Sequence, residues 1–316
     1  MVSISKALVA LAFGAAVSTA LAQTPIRLLV PLSAGGATDS AARIVAKPLS
    51  EALGQSVIVE NRPGADGTIA AQAVIGAKPD GTTLFFSSTT AICAVPTMRK
   101  NPPYDPTTAF TPVSMVGPLE MVLLAHPSVK GRTLAEVLRY VKANPGKVNF
   151  AASNSTALLA SAQLQRSAGL EAINVPYKGD APALIDLVAG RVQLMYASPG
   201  APQQYIQQGK LHAVAALSPS RIATMPDVPT MKEAGMEGLS IVPWVGILGP
   251  AGMPADVSNR LSAEIQKIVA RPEVQAQLAN FGVKAQGSDP ATLGRFIREQ
   301  ITNWHEAVRA AGIQPQ

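Results

Sequence analysis

Cysteine occurs once in the 316 residues, as Cys93, and histidine three times, as His126, His212 and His305. A lone cysteine excludes an intrachain disulfide, and its commonest state is a small buried apolar side chain. The three histidines lie far apart, with no Cys, Asp or Glu at ligand spacing, so no metal pattern is present. Aromatic residues are only 4%, and the 26 Lys and Arg against 20 Asp and Glu are scattered along the chain. No basic cluster is interleaved with aromatics, which argues against a nucleic-acid partner. A mildly basic chain, net +6, suits anionic solutes, though only weakly. There is no Gly-x-Ser-x-Gly elbow, no Gly-Lys-Ser/Thr phosphate loop and no Gly-x-Gly-x-x-Gly. Asp66-Gly67-Thr68 and Asp80-Gly81-Thr82 lack the rest of a calcium loop. This inventory argues against an enzyme, and no cofactor is expected.

The first segment reads as an address. Lys6 precedes the uncharged apolar run Ala7 to Val17, which is too short to span a bilayer comfortably. Ala20-Leu21-Ala22 is an A-x-A cleavage signature, so residues 1–22 are expected to be a signal peptide cut near Ala22. No later run approaches membrane-spanning length. Cleavage leaves roughly 294 residues, more than one hydrophobic core usually organises, which allows two domains.

The stretch from Arg27 to Gly54 sets the pattern for the rest. Ile26-Arg27-Leu28-Leu29-Val30 reads as a buried strand, and Pro31 to Asp39 as a tight loop containing Ser33, Gly35, Gly36 and Thr38. A helix is expected from Ser40 to Leu53, closed by Gly54. The first N–H groups of a helix have no intrahelical partner, and its dipole adds partial positive charge there. Glycine lets a ligand approach the backbone, so a carboxylate suits this loop. Asp39 also has a plain structural use, pairing with Arg43 at i,i+4.

Strand-like and helix-like segments then alternate through Leu217, which predicts parallel sheets with helices on both faces. Thr133 and Glu136 have capping-box spacing. From Ala255 the chain reads as three helices, Ala255 to Ala270, Pro272 to Asn280 and Pro290 to Ala311. Hydroxyl- and glycine-rich loops follow predicted strands at their C-terminal ends: Ser87-Ser88-Thr89-Thr90, Ser153-Asn154-Ser155-Thr156, and Tyr177-Lys178-Gly179-Asp180. Ala197 and Ser198 close another strand. In open α/β sheets that edge binds ligands, although Ser, Thr and Gly also make ordinary turns and caps. Trp244 suits either stacking at a cleft mouth or core packing.

Five motifs in order resemble the Bug/TctC family: Pro31-x-x-x-Gly35-Gly36-x-x-Asp39-x-x-Ala42-Arg43, Val59-Glu60-Asn61-Arg62-Pro63-Gly64, Pro79-Asp80-Gly81-x-Thr83-Leu84, Val175-Pro176-Tyr177-Lys178-Gly179-x-x-Pro182-Ala183-Leu184 and Pro226-Asp227-Val228-Pro229-Thr230. The resemblance runs from about Pro25 to Ile313, nearly the whole chain beyond the expected signal peptide. The resemblance implies a periplasmic solute-binding protein of a tripartite tricarboxylate transporter. It implies an α/β, two-lobed, type II-like Venus-flytrap fold, with a small carboxylate held between the lobes by backbone amides, hydroxyls and waters. The protein would act as a monomer and deliver its ligand to membrane permease subunits. The alternative is a ligand-sensing partner of a membrane sensor kinase, and a secreted α/β enzyme is third. Lobe 1 is expected to comprise residues 23–124 and 245–316, and lobe 2 residues 125–244. The crossings are placed near Leu123 to His126 and Val242 to Gly246, with the helical tail on lobe 1. Two departures lie in the second lobe. The Ala151 to Leu159 loop looks short, with Leu158 where the family commonly has His. Ala197 stands where the family tends to have Asp. Both predict a less polar second wall, suited to an aromatic or otherwise less polar carboxylate.

Overall fold

The computed structural model describes residues 24–237, 241 and 243–315. The expected signal peptide and Val242 of the expected second crossing lie outside them. The strands in chain order are β1 Ile26–Val30, β2 Val57–Asn61, β3 Thr83–Ser88, β4 Phe110–Pro118, β5 Val122–Ala125, β6 Asn149–Ala152, β7 Ile173–Pro176, β8 Leu194–Ala197, β9 His212–Ala216 and β10 Trp244–Pro250. They form two five-stranded sheets, ordered β2-β1-β3-β10-β4 and β7-β6-β8-β5-β9.

Each sheet begins as a parallel α/β unit, with β1 parallel to β2 and β3, and β6 parallel to β7 and β8. Neither sheet is wholly parallel as the alternation predicted. β10 runs antiparallel to β3 and β4, and β5 antiparallel to β8 and β9. The reason lies in connectivity. β5 and β10 are the strands by which the chain enters each sheet from the other, with no crossover helix to reverse it. β5 also corrects the expected boundary, because all four of its residues pair within the second sheet. The first crossing is therefore the short link between Pro118 and Val122, ahead of Leu123. Trp244, assigned to lobe 2, is the first residue of β10 in the first sheet.

Helix α1, Ala37–Leu53, starts three residues earlier than predicted, with Gly36 as its N-cap. Its Ala41, Ala42, Val45, Ala46 and Leu49 are buried against the first sheet, and Gly54 closes it at φ 63°. α2, Thr68–Ile75, follows a 3₁₀ turn at Ala65–Gly67. A π-turn at Thr90–Ala94, beginning at the last residue of the expected Ser87 to Thr90 loop, leads into α3, Val95–Met98. On the second sheet lie α4, Leu134–Ala143, α5, Ser155–Ala168, α6, Asp180–Val188, and α7, Gln203–Gln207. The capping box forms at α4: the Thr133 hydroxyl accepts from Glu136 N–H, while the Glu136 carboxylate accepts from Thr133 N–H.

The tail supplies α8, Ala255–Val269, α9, Pro272–Ala279, and α10, Pro290–Ala310. α8 packs on β4 and α1, and α9 on α1. α10 packs on β4, α3 and the π-turn, and also touches α5. One apolar cluster consequently runs from Phe85, Ile92 and Trp244, through Ile297 and Trp304 of α10 and Leu159 and Leu164 of α5, to Leu123 and Phe150 of the second sheet. Each fully buried side chain of this size contributes about 1.5–3 kcal/mol.

Candidate functional site

A cavity of about 710 Å³ opens between the two sheets. Apart from the two crossings, its walls follow one rule, since each loop of the α/β units that lines it leaves the C-terminal end of a strand. The first wall comprises Pro31 to Ala34 and Gly36 to Thr38 after β1, Pro63 to Gly67 after β2, and Ser88 to Thr90 after β3. The second wall comprises Ser153, Asn154 and Thr156 after β6, Tyr177 to Pro182 after β7, and Ser198 after β8. Leu119, Met121, Pro243 and Trp244, from the two crossings, complete the lining. A second cavity of about 350 Å³ lies behind Trp244, among Met115, Gln266 and Phe296. No strand C-terminal loop of the α/β units reaches it, so the larger cavity is the candidate site.

Of the residues expected there, Ser33, Gly36, Thr38, Ser88, Thr89, Ser153, Asn154, Thr156, Tyr177, Lys178, Gly179, Ser198 and Trp244 line the cavity. Gly35, Asp39, Ser87, Ser155 and Ala197 do not. Asp39 works one layer back. Its Oδ2 accepts from Gly35 N–H at 2.9 Å and from Arg43 Nε at 3.1 Å, and its Oδ1 accepts from Asn61 Nδ2 at 2.9 Å. Asn61 Nδ2 also donates to Leu32 O, so the network clamps both ends of the loop. Burial pushes the Asp39 pKa up, but the bonds from Arg43, Gly35 and Asn61 outweigh it and hold the carboxyl below its ordinary value. Ser87 and Ala197 are buried inside their strands, and Ser155 Oγ donates to Asp66 Oδ2 at 2.9 Å.

Several hydroxyls are already committed to structure. Trp244 N–H donates to Thr89 Oγ1, which donates to Trp244 O, tying β3 to β10. Thr90 Oγ1 and Thr156 Oγ1 lie 3.1 Å apart, so both α5 residues Ser155 and Thr156 bridge to the first wall. Asn154 Oδ1 accepts from Ala157 N–H and caps α5, and Tyr177 Oη donates to Asp186. Trp244 is fully buried and packs edge-on against Phe296 at 5.5 Å, so packing is its main use.

What remains for a ligand is mainly backbone. α1 and α6 begin at the glycines Gly36 and Gly179, and neither helix has a side-chain cap. Their first N–H groups and dipoles therefore face the cavity from opposite walls, a natural pair of anion seats. Gly36 has φ −82°, so the possibility of positive-φ strain applies instead to its neighbour Gly35 at φ 83°.

The loop Pro63 to Gly67 was missed, while Thr90 and Asp180, the last residues of two of the expected loops, also line the cavity. The strand-end rule alone finds the loop, because it follows β2. Asp180 adds a carboxyl group to the second wall. Burial raises its pKa, and the nearby Ser153 hydroxyl offsets only part of this. Leu158 lies in α5 and does not line the cavity. Lys178 is the only Lys, Arg or His among the described lining residues, and it is exposed. Among the described residues no cluster of three or more His, Cys, Asp or Glu is arranged to hold a metal ion, and no helix is long and apolar enough to cross a membrane.

Residues 41–313 match the tripartite tricarboxylate transporter family receptor, TctC. Protein BugT of Bordetella pertussis is 35% identical over 293 residues, covering 92% of this chain and 90% of BugT. The structure of periplasmic binding protein BugD is similar at TM-score 0.85 and 33% identity, covering 92% of this chain and 99% of that one. A Rhodopseudomonas palustris protein solved with adipate, Rpa4515, is similar at TM-score 0.87 and 29% identity, covering 92% and 98%. These relatives are binding proteins and not enzymes. The chain belongs to the Bug/TctC family, a two-lobed periplasmic solute-binding protein of the tripartite tricarboxylate transporter receptor type.

Proposed function

We propose that this protein captures a small carboxylate in the cavity between its sheets and delivers it to a tripartite membrane permease. The observation that carries the reading is the pair of uncapped helix N-termini, at Gly36 and Gly179, lining one cavity from opposite sides. Two such seats suit a molecule with an anionic group at one or both ends. Adipate in a relative of the same fold supports that ligand class. The family's transporter association supports delivery to a permease over signalling to a kinase. In this reading the lobes are residues 24–118 with 244–315, and residues 122–237.

A thermal-shift screen of mono-, di- and tricarboxylates, aliphatic and aromatic, tests the ligand class. A ligand at a hundredfold its Kd adds about 2.7 kcal/mol, a midpoint rise of a few degrees at this size. If no carboxylate raises the midpoint, the reading fails. Co-purification with permease subunits tests delivery, and capture of a sensor kinase instead would replace it.

A further inference from the structure

Three residues lining the cavity hold a buried polar atom without a hydrogen-bond partner: Ser88 Oγ, Trp244 Nε1 and Asp180 Oδ1. They are not equivalent. A serine hydroxyl both donates and accepts, and an indole N–H is a neutral donor. Asp180 as a residue is half-buried, but its Oδ1 is not exposed; an ionised Asp only accepts, so this oxygen is the costliest of the three atoms to leave unmatched. Beyond the nearby Ser153 hydroxyl, which offsets only part of its burial, the protein offers little to match it. Among the described lining residues Lys178 is the only cation, and its side chain makes no described ion pair with Asp180. The other acidic residue of the lining, Asp66, is occupied by Ser155. Asp180 is also the first residue of α6, immediately after Gly179, so it stands beside the backbone amides that would receive a carboxylate. A plain carboxylate seated there meets like charge, whereas a ligand with a donor next to its carboxylate satisfies both groups at once.

We propose that Asp180 is a specificity-determining residue, accepting a hydrogen bond from an ammonium group, so that the ligand is an amino-carboxylate. This rests on the carboxylate reading of the cavity. The carboxylate occupies the N–H groups at the start of α6, and the ammonium faces the Asp180 carboxylate. The cavity thereby selects against the des-amino acid of the same length.

Isothermal titration with matched pairs tests the assignment: succinate and aspartate, glutarate and glutamate, adipate and 2-aminoadipate. In at least one pair the amino member should bind tenfold tighter or more to the native protein. Asp180→Asn and Asp180→Ser should each erase that preference, with the plain diacid bound as well as before or better. Thermal midpoints of both variants establish that they fold. Three results overturn the inference. They are equal or tighter binding of the plain acid in every pair, a preference that survives both substitutions, or loss of plain-acid binding in both variants, which would make Asp180 a protonated donor to a ligand carboxylate. Binding of plain diacids without amino preference removes this inference and leaves the carboxylate reading standing. Absence of binding by every member removes both.

Discussion

The two walls of the cavity use the same part, a glycine ahead of a helix with an aspartate in its first turn, and complete it in opposite ways. On the first wall Gly36 is extended at φ −82°, and Asp39 has partners on both carboxylate oxygens. On the second wall Gly179 sits at φ 117°, and Asp180 Oδ1 has no partner. The first aspartate has its pKa lowered and the second has it raised. The difference separates two jobs that sequence alone presents as one. An acid whose bonds are all made inside the protein holds a loop in shape. An acid left without them is free for a ligand, at a cost to the empty protein.

Asp39→Ala should give the largest effect. It strips partners from Gly35 N–H, Asn61 and Arg43 together, and should lower unfolding free energy by about 3 kcal/mol in urea titrations. Asp180→Ala should leave stability unchanged within about 0.5 kcal/mol, or raise it, because an unmatched charge is removed. Equal losses at both positions would erase the contrast between the walls.

The glycines separate backbone need from ligand need. Gly179→Val forces a β-branched side chain into positive φ and should cost about 1–3 kcal/mol of stability. At Gly36 an added Cβ meets only Ser33 O, at 3.8 Å, so the backbone accepts it. Gly36→Val should therefore fold within about 1 kcal/mol of the native protein. Carboxylate affinity should nevertheless fall at least tenfold, about 1.4 kcal/mol, because the side chain stands where a ligand approaches the amides. Normal carboxylate binding by Gly36→Val in calorimetry would show that this seat is unused.

Most of this arrangement was legible in the sequence, but for uneven reasons. Strand and helix periodicity placed the loops after β1, β3, β6 and β7, because each α/β unit announces its own strand end. The Thr133 to Glu136 box was legible for the same local reason. β5 was misplaced because Val122-Leu123-Leu124-Ala125 is buried on both faces, and such a strand does not say which sheet it joins. Thr89, Ser155 and Thr156 looked like ligand hydroxyls. Their bonds to Trp244, Asp66 and Thr90 span 155, 89 and 66 residues, which no local pattern contains. Asp180 was legible as the end of the loop after β7, but its unpartnered Oδ1 depends on packing that no local pattern contains.

The two aspartates should also show opposite acid trends. A carboxyl with a lowered folded pKa binds protons more weakly folded than unfolded. The Asp39 contribution is therefore present above the ordinary value of 3.8 and lost as pH falls through the lower folded value. A carboxyl with a raised folded pKa behaves the other way. As pH falls from neutral through that raised value toward 3.8, protonating Asp180 should stabilise the ligand-free fold. Stability measured against pH for Asp39→Asn and Asp180→Asn, each minus the native curve, should give differences of opposite slope. Parallel difference curves would mean that the two carboxyls share one environment.

The smallest expected effect belongs to Arg43. Its guanidinium reaches Asp39 at 3.1 Å and Asn61 Oδ1 at 3.1 Å, yet its side chain is 53% exposed and does not line the cavity. Water and salt screen a pair of this kind. With Arg43→Ala, Asp39 keeps Gly35 N–H and Asn61 Nδ2, so the loop retains its clamp. Stability should fall by roughly 0.5–1 kcal/mol at low ionic strength, more than a simple i,i+4 pair because two partners are lost, and by less in 1 M salt. Carboxylate affinity should change by less than about twofold, under 0.5 kcal/mol. That pairing of a small stability loss with unchanged affinity is what backbone-amide seating requires. If Arg43→Ala abolishes binding while Gly36→Val leaves it intact, the first wall holds its ligand by an arginine, and the likeness between the α1 and α6 seats is broken.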